Sequence, residues 1–199
     1  MVSRSSRDKR KRKMSTWGIL GCGTIANEMA ETFIKMGHEI YGVSNRTLEK
    51  AEKFAETYGV KHVFKTYEEM LADEKIDIIY IATPHSRHYE NMMQAVKAGK
   101  HVLCEKAITV NAAQLEEVLK LAEKKHVVVR EAMTISHMPL YKKLKERIKE
   151  GAIGKTKMVQ VNFGSNKGYD STNRFFALEA AGGALLDIGV YATSFARTF

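Results

Sequence analysis

The feature that most constrains this chain is a short glycine-rich turn between two patterns of hydrophobicity. Gly21-Cys22-Gly23-Thr24-Ile25-Ala26 follows the strand-like run Trp17–Leu20 and opens a helix-period segment, Ile25–Met36. In a GxGxxA turn so placed, the first glycine makes the tight bend, the second lets the backbone approach a pyrophosphate, and the alanine permits close helix-to-strand packing. The phosphates then settle on the free N–H groups of the helix start, here around Thr24 and Ile25. A lone match is weak, so the weight comes from its setting.

That setting is a regular alternation of β-like and helix-period segments, which specifies the α/β class and a Rossmann doubly wound parallel sheet. Strands are expected at Trp17–Leu20, Glu39–Ser44, His62–Phe64, Ile76–Ala82, His101–Cys104 and Val127–Arg130. Amphipathic helices are expected near Ile25–Met36, Leu48–Tyr58, Tyr67–Ala72, Tyr89–Ala98 and Ala112–Lys124, with Thr47 and Asn111 as N-caps and Gly37, Gly59 and Gly99 at C-termini. The run from Ile76 to Ala82 is almost continuously apolar, as befits a strand covered on both faces.

Beyond residue 133 the pattern changes. Pro139–Lys149 reads as a helix, Lys155–Phe163 as an alternating strand, Gly164–Arg174 as a polar loop, and the residues after Gly182-Gly183 as an apolar helix running to Phe199. Residues 15–133 are therefore expected to form the nucleotide-binding domain, and 134–199 the incomplete start of a second, open-sheet α/β domain. A strand without a sequence partner and a helix ending on Phe199 suggest a chain that stops inside that domain. Its apolar faces, Met158–Phe163 and Leu185–Phe199, would then be partly uncovered and prone to aggregation.

The 199 residues, 44% hydrophobic and 28% charged, suit a globular protein of one domain plus part of another. No apolar run approaches the ~18 residues of a membrane-spanning helix, so no membrane partner is expected. Of the net charge of +9, the first thirteen residues hold seven basic side chains against Asp8, which leaves only +3 for the rest. That argues against a nucleic-acid-binding surface on the folded part. Residues 1–14 are read as a disordered basic arm, either a localisation or polyanion-binding tag or residues upstream of a start at Met14. Cys22 and Cys104 form neither a CxxC nor a disulfide framework, pointing to a reducing, cytoplasmic compartment.

Cofactor choice in this fold turns on the end of the second strand, where a carboxylate would bind the adenosine ribose and repel a 2′-phosphate. Here stand Ser44, Asn45 and Arg46. Without that repulsion, and with a guanidinium and a hydroxyl able to make charge-assisted hydrogen bonds, NADP(H) is favoured over NAD(H).

Three further motifs, Thr83-Pro84-His85, Cys104-Glu105-Lys106 and Gly182-Gly183-Ala184-Leu185-Leu186-Asp187-Ile188-Gly189-Val190-Tyr191, occur in an order that resembles the Gfo/Idh/MocA family. The resemblance covers residues 15–199. It implies an N-terminal Rossmann domain and a C-terminal open-sheet domain that often mediates homo-oligomerisation. It also implies hydride transfer between NAD(P) and a small-molecule sugar, polyol, dihydrodiol or related carbonyl substrate. Lys106 corresponds to the lysine of the family's Glu-Lys-Pro motif, Asp187 to the aspartate of the Gly-Gly helix, and Tyr191 to a position that is His in many members. Tyrosine there resembles the subset that includes glucose-fructose oxidoreductase and dimeric dihydrodiol dehydrogenase, which mostly uses NADP. Thr83, Pro84, His85, His88 and Glu105 are thereby expected along the cofactor edge. The chemistry agrees: a carbonyl gaining hydride needs a proton, and a phenol with its pKa lowered by a nearby lysine is a reasonable general acid.

Two residues depart from the family pattern. Ala107 replaces the proline after the motif lysine, so a trans bond is expected there, a non-proline cis peptide costing about 2.5 to 4 kcal/mol. Thr134 stands where Tyr-containing relatives often carry an aromatic side chain. His85 and His88 have an HxxH spacing but no third ligand, so no metal is expected. His137 and Arg174 are further candidates to approach a substrate. Three readings compete: an NADP-dependent dehydrogenase or reductase, a cofactor-sensing protein of the same fold that has lost turnover, and a polyanion-binding protein acting through the basic arm.

Overall fold

The computed structural model describes residues 14–199; the basic arm falls outside the described residues. Six strands alternate with helices: β1 Trp17–Leu20, α1 Thr24–Lys35, β2 Ile40–Ser44, α2 Leu48–Tyr58, β3 His62–Phe64, α3 Tyr67–Ala72, β4 Ile78–Ile81, α4 His85–Lys97, β5 His101–Cys104, α5 Ala112–Lys125 and β6 Val129–Glu131. All pair in parallel, in the order β3-β2-β1-β4-β5-β6. This is the Rossmann arrangement, in which the chain reverses direction across the sheet between β1 and β4 and opens a crevice at their carboxyl ends.

Alternation along β4 explains why its sequence is apolar throughout. Ile79 and Ile81 enter a core with Met92 and Val96 of α4 and Val118 of α5, while Tyr80 turns into the opposite core with Ala26, Ala30 and Phe33 of α1 and Phe54 of α2. Helix ends follow their chemistry. Asn111 accepts from the Gln114 N–H, and Gly59 ends α2 in the left-handed conformation. Helix α4 begins at His85, four residues earlier than the periodicity indicates, because Pro84 with its preset φ starts it.

Past β6 come a 3-10 turn at Thr134–His137, helix α6 at Pro139–Lys149, a π-helical turn at Leu185–Gly189 and helix α7 at Val190–Thr198. The expected strand at Lys155–Phe163 does not form. A strand is made by ladder hydrogen bonds, and among the described residues no neighbouring strand offers them to this segment. Met158 and Phe163 stay 83% and 57% exposed, while Tyr141 anchors α6 on α7 by donating to the Thr198 hydroxyl at 2.5 Å.

Candidate active site

The site is assembled at the carboxyl ends of β1, β4 and β5. Gly21 leaves β1 with φ +99°, and its N–H donates to the Ser44 carbonyl at 2.9 Å, locking the turn to the end of β2. A Cβ on Gly21 would sit 2.7 Å from the Ala82 carbonyl oxygen, so this glycine is required by the fold itself. Gly23 differs. A Cβ there would meet nothing within 4 Å, and this residue N-caps α1 without any side-chain partner for the helix's first N–H groups. An uncapped helix start facing open space suits the pyrophosphate of a dinucleotide.

At the end of β2, the expected trio divides. Ser44 is fully buried and its hydroxyl donates to the Phe64 carbonyl at 3.1 Å, which turns it away from the site. Asn45 braces the fingerprint turn, accepting from the Cys22 N–H at 3.2 Å. Arg46 is exposed at the rim. Beside the Arg46 backbone N–H lies the Tyr67 phenol, its pKa raised by burial with Arg46 pulling the other way. Cys22 is no nucleophile: burial pushes its thiol to about 11 against the opposing charge of Lys50.

Two histidines one turn apart on α4 organise the loop that carries Lys106. His85 Nε2 lies 3.0 Å from the Lys106 carbonyl and its Nδ1 3.4 Å from that of Ala181; His88 Nδ1 and Nε2 each lie 2.8 Å from a carbonyl, of Ala107 and Thr83. Burial holds both imidazoles below the ordinary histidine value, against the pull of these carbonyls. With their nitrogens so engaged, the two rings do not converge on a shared ligand position, and no cluster of three metal-ligating side chains occurs among the described residues. The Lys106–Ala107 peptide is cis, contrary to the expectation from Ala107. The carbonyls of these two residues meet His85 and His88 respectively.

Lys106 reaches across 81 residues of sequence to Asp187: Nζ donates to Oδ1 at 3.0 Å and to the Asp187 carbonyl at 2.5 Å, with both side chains 16% exposed. The same ammonium lies 5.3 Å from the centre of the Tyr191 ring. Asp187 occupies the π-helical turn and Tyr191 the start of α7, so an irregular helix brings both toward Lys106. The Tyr191 phenol is not acidified as expected. Burial raises its pKa, nearby Glu105 and Asp187 raise it further, and only the adjacent Thr134 hydroxyl opposes them. The lysine charge is spent on Asp187, and it meets the face of the ring.

Two supporting groups escaped the sequence reading. Asn91 donates to the Thr83 hydroxyl at 2.9 Å, and Tyr80, 1% exposed, donates to Glu105 Oε1 at 2.5 Å. The available signal for the second was a tyrosine inside an apolar strand, since a buried phenol needs a partner. His137 is exposed on its 3-10 turn, and the Arg174 guanidinium stacks 4.1 Å from the Phe175 ring centre.

Residues 15–133 match the oxidoreductase family with an NAD-binding Rossmann fold, and residues 141–199 match the GFO/IDH/MocA C-terminal domain. This chain belongs to the Gfo/Idh/MocA oxidoreductase family. Similar proteins include the trans-1,2-dihydrobenzene-1,2-diol dehydrogenase of Xenopus tropicalis, 34% identical over 182 residues that cover 90% of this chain and 54% of that protein. Another is the D-xylose 1-dehydrogenase (NADP(+)) of Hypocrea jecorina, 37% identical over 88% of this chain and 50% of that one. This Gfo/Idh/MocA chain thus spans about half the length of the curated relatives it matches. Among solved structures, the 3-ketoreductase of Actinomadura kijaniata with NADP and TDP-benzene superposes with a TM-score of 0.78 at 26% identity, covering 93% of this chain and 58% of that one.

Proposed function

We propose that this chain carries the cofactor site and part of the catalytic site of an NADP-dependent oxidoreductase that moves hydride between nicotinamide and a small carbonyl compound or its alcohol. The observation that carries the reading is the Lys106–Asp187 pair, set beneath Tyr191 at the sheet edge where the Gly21–Ala26 turn offers a bare helix start. The α1 N–H groups and Gly23 would hold the pyrophosphate. Arg46, aided by Tyr67, would take the 2′-phosphate, and Thr83, Pro84, His85 and Glu105 would line the nicotinamide end. Asn45 and His88 act from behind by bracing the turns. Bound NADPH supplies the hydride.

Tyr191 supplies the proton. A tyrosine phenol keeps its proton at neutral pH and is a far stronger acid than an alcohol, so Tyr191 can neutralise the oxyanion that forms as a carbonyl is reduced, although burial makes it a weaker acid than a free tyrosine. Lys106, held by Asp187, adds positive charge where that oxyanion develops. Water returns the proton to the tyrosinate afterwards.

The substrate side is open and largely apolar. A cavity of about 420 Å³ adjoins Tyr191, walled by Ile135, Met138, Phe163, Ala192 and Phe195 beside Thr134. Phe163 meets the Tyr191 ring edge-on at 5.9 Å. These walls favour a substrate with a hydrocarbon body, of the dihydrodiol or cyclic-ketone kind, over a fully hydroxylated sugar. The related dihydrodiol and xylose dehydrogenases bracket the two possibilities.

The test is twofold. Fluorescence titration should show NADPH binding more tightly than NADH, and NADPH oxidation should be followed with cyclohexane-1,2-dione, D-xylose and dihydroxyacetone. Binding without turnover on any carbonyl would favour the sensing protein, and no binding of either nucleotide would end the reading.

A further inference from the structure

Glu105 is a carboxylate in an unusual position. It follows β5 directly, its N–H donates to the Ile81 carbonyl at the end of β4, and only 8% of the residue is exposed. Both of its oxygens accept hydrogen bonds: Oε1 from the Tyr80 hydroxyl at 2.5 Å and Oε2 from the Lys106 backbone N–H at 3.3 Å. Burial outweighs these two donors and the Lys106 charge, which favour the ionised form, and holds the Glu105 pKa above the ordinary glutamate value, as befits a carboxylate without a cation in contact.

Among the described residues, no cation lies in contact with this carboxylate. The nearest ammonium, Lys106 Nζ, is engaged by Asp187. The other titratable groups facing Glu105 are Glu28 on α1, Tyr80 on β4, Cys104 on β5 and Tyr191 on α7, none of which carries positive charge. Buried charges are normally paired, so a nearly buried carboxylate at a ligand-binding edge points to a positive charge brought by the ligand. The two redox forms of a nicotinamide differ in that respect: the oxidised ring is cationic and the reduced ring is neutral.

We propose that Tyr80 is a positioning residue that holds Glu105 as the fixed counter-charge of the oxidised nicotinamide ring, so that the site binds NADP⁺ in preference to NADPH. The inference rests on the cofactor reading above and adds to it a bias between the redox forms, set by a tyrosine that does not itself touch the cofactor. In the reduction direction, this bias makes the bound reduced cofactor the readier hydride donor, because the charge created on the ring is met at once.

The experiment is a comparison of Kd values for NADP⁺, by calorimetry, and NADPH, by fluorescence, across the wild type, Glu105→Gln and Tyr80→Phe. Far-UV circular dichroism would verify that each variant folds. A hydrogen bond or contact to a charged group changes an equilibrium by about tenfold or more. Glu105→Gln should therefore weaken NADP⁺ at least tenfold relative to NADPH. Tyr80→Phe should move the ratio the same way by a smaller factor, roughly threefold to tenfold.

A pH series separates positioning from simple structural support. Acidification should weaken NADP⁺ as Glu105 takes up a proton. In Tyr80→Phe that transition should move to higher pH, because the carboxylate has lost a donor. Repeating the series in a Glu28→Gln background removes the other facing carboxylate and should leave the difference in place. Equal weakening of both redox forms, or an unchanged ratio in Glu105→Gln, would overturn the proposal while leaving the cofactor reading intact; a wild type that binds neither form would overturn both. Should Tyr80→Phe not fold, the isosteric Glu105→Gln and its loss of pH dependence decide the matter.

Discussion

The two glycines of the fingerprint turn should respond to the same substitution in opposite ways. Gly21→Ala adds a methyl 2.7 Å from the Ala82 carbonyl oxygen and 2.9 Å from its carbon, at φ +99°, where neither neighbour is a movable side-chain tip. The backbone conformation alone costs an L-residue about 1 to 3 kcal/mol. If the turn shifts to relieve the overlap, it also loses the bond from the Gly21 N–H to the Ser44 carbonyl, worth about 1 kcal/mol. The sum, about 2 to 4 kcal/mol, is a large share of the roughly 5 to 15 kcal/mol that stabilises a domain. At Gly23 the added methyl has φ −79° and no atom within 4 Å, so stability should change by no more than about 1 kcal/mol, the cost of an alanine at an N-cap. That methyl would instead occupy the space through which a pyrophosphate approaches the helix start. Urea unfolding without nucleotide should therefore show a midpoint lowered clearly more by Gly21→Ala than by Gly23→Ala. NADPH titration of Gly23→Ala should show at least tenfold weaker binding. If Gly23→Ala binds NADPH as the wild type does, or if both variants lose stability equally, the division into a folding glycine and a binding glycine is wrong.

Other outcomes follow from the same geometry. Arg46→Ala should weaken NADP(H) by about tenfold to a hundredfold and NAD(H) much less, as titrations of both cofactors would show; equal losses would remove Arg46 from the 2′-phosphate. Tyr191→Phe should lower turnover by about 10² to 10⁴ with cofactor affinity unchanged, and single-turnover kinetics would separate the two. Lys106→Met should lower turnover comparably and also destabilise the chain, because Asp187 is left largely covered without its cation; Lys106→Met with Asp187→Leu should recover part of that loss in urea unfolding. His88, fully buried, has a folded-state pKa below the ordinary 6.5. The unfolded chain therefore takes up its proton first, so the contribution of His88 is intact above pH 6.5 and is lost as pH falls through the interval down to the folded value. An acid titration of stability that is no shallower in His88→Gln would assign the loss to other groups.

The parts of this protein legible in its sequence are those governed by neighbours along the chain. A glycine-rich turn between a strand and a helix, runs of β-branched residues, helix-period apolar stripes and capping residues all act within one or two turns. They were enough for the six strands, for helices with ends displaced by at most a few residues, and for the Rossmann class. Thr134 and Ala107 stood out for the same reason, as local departures from a family pattern.

What only the tertiary structure decided are matters of facing and burial. The 81 residues between Lys106 and Asp187 hold no periodic signal of their contact, which exists because the end of β5 and an irregular helix meet above the sheet. Reading Tyr191 as an acidified phenol assumed that a lysine would stand at its hydroxyl; in the fold that charge is bound to Asp187, and desolvation, which depends on everything packed around a ring, raises the pKa instead. Ser44 was a phosphate ligand by position and became part of the sheet, because its hydroxyl found the Phe64 carbonyl. Lys155–Phe163 has the alternation of a strand and is not one here, for alternation expresses only a propensity, and the hydrogen bonds that make a strand belong to its neighbour.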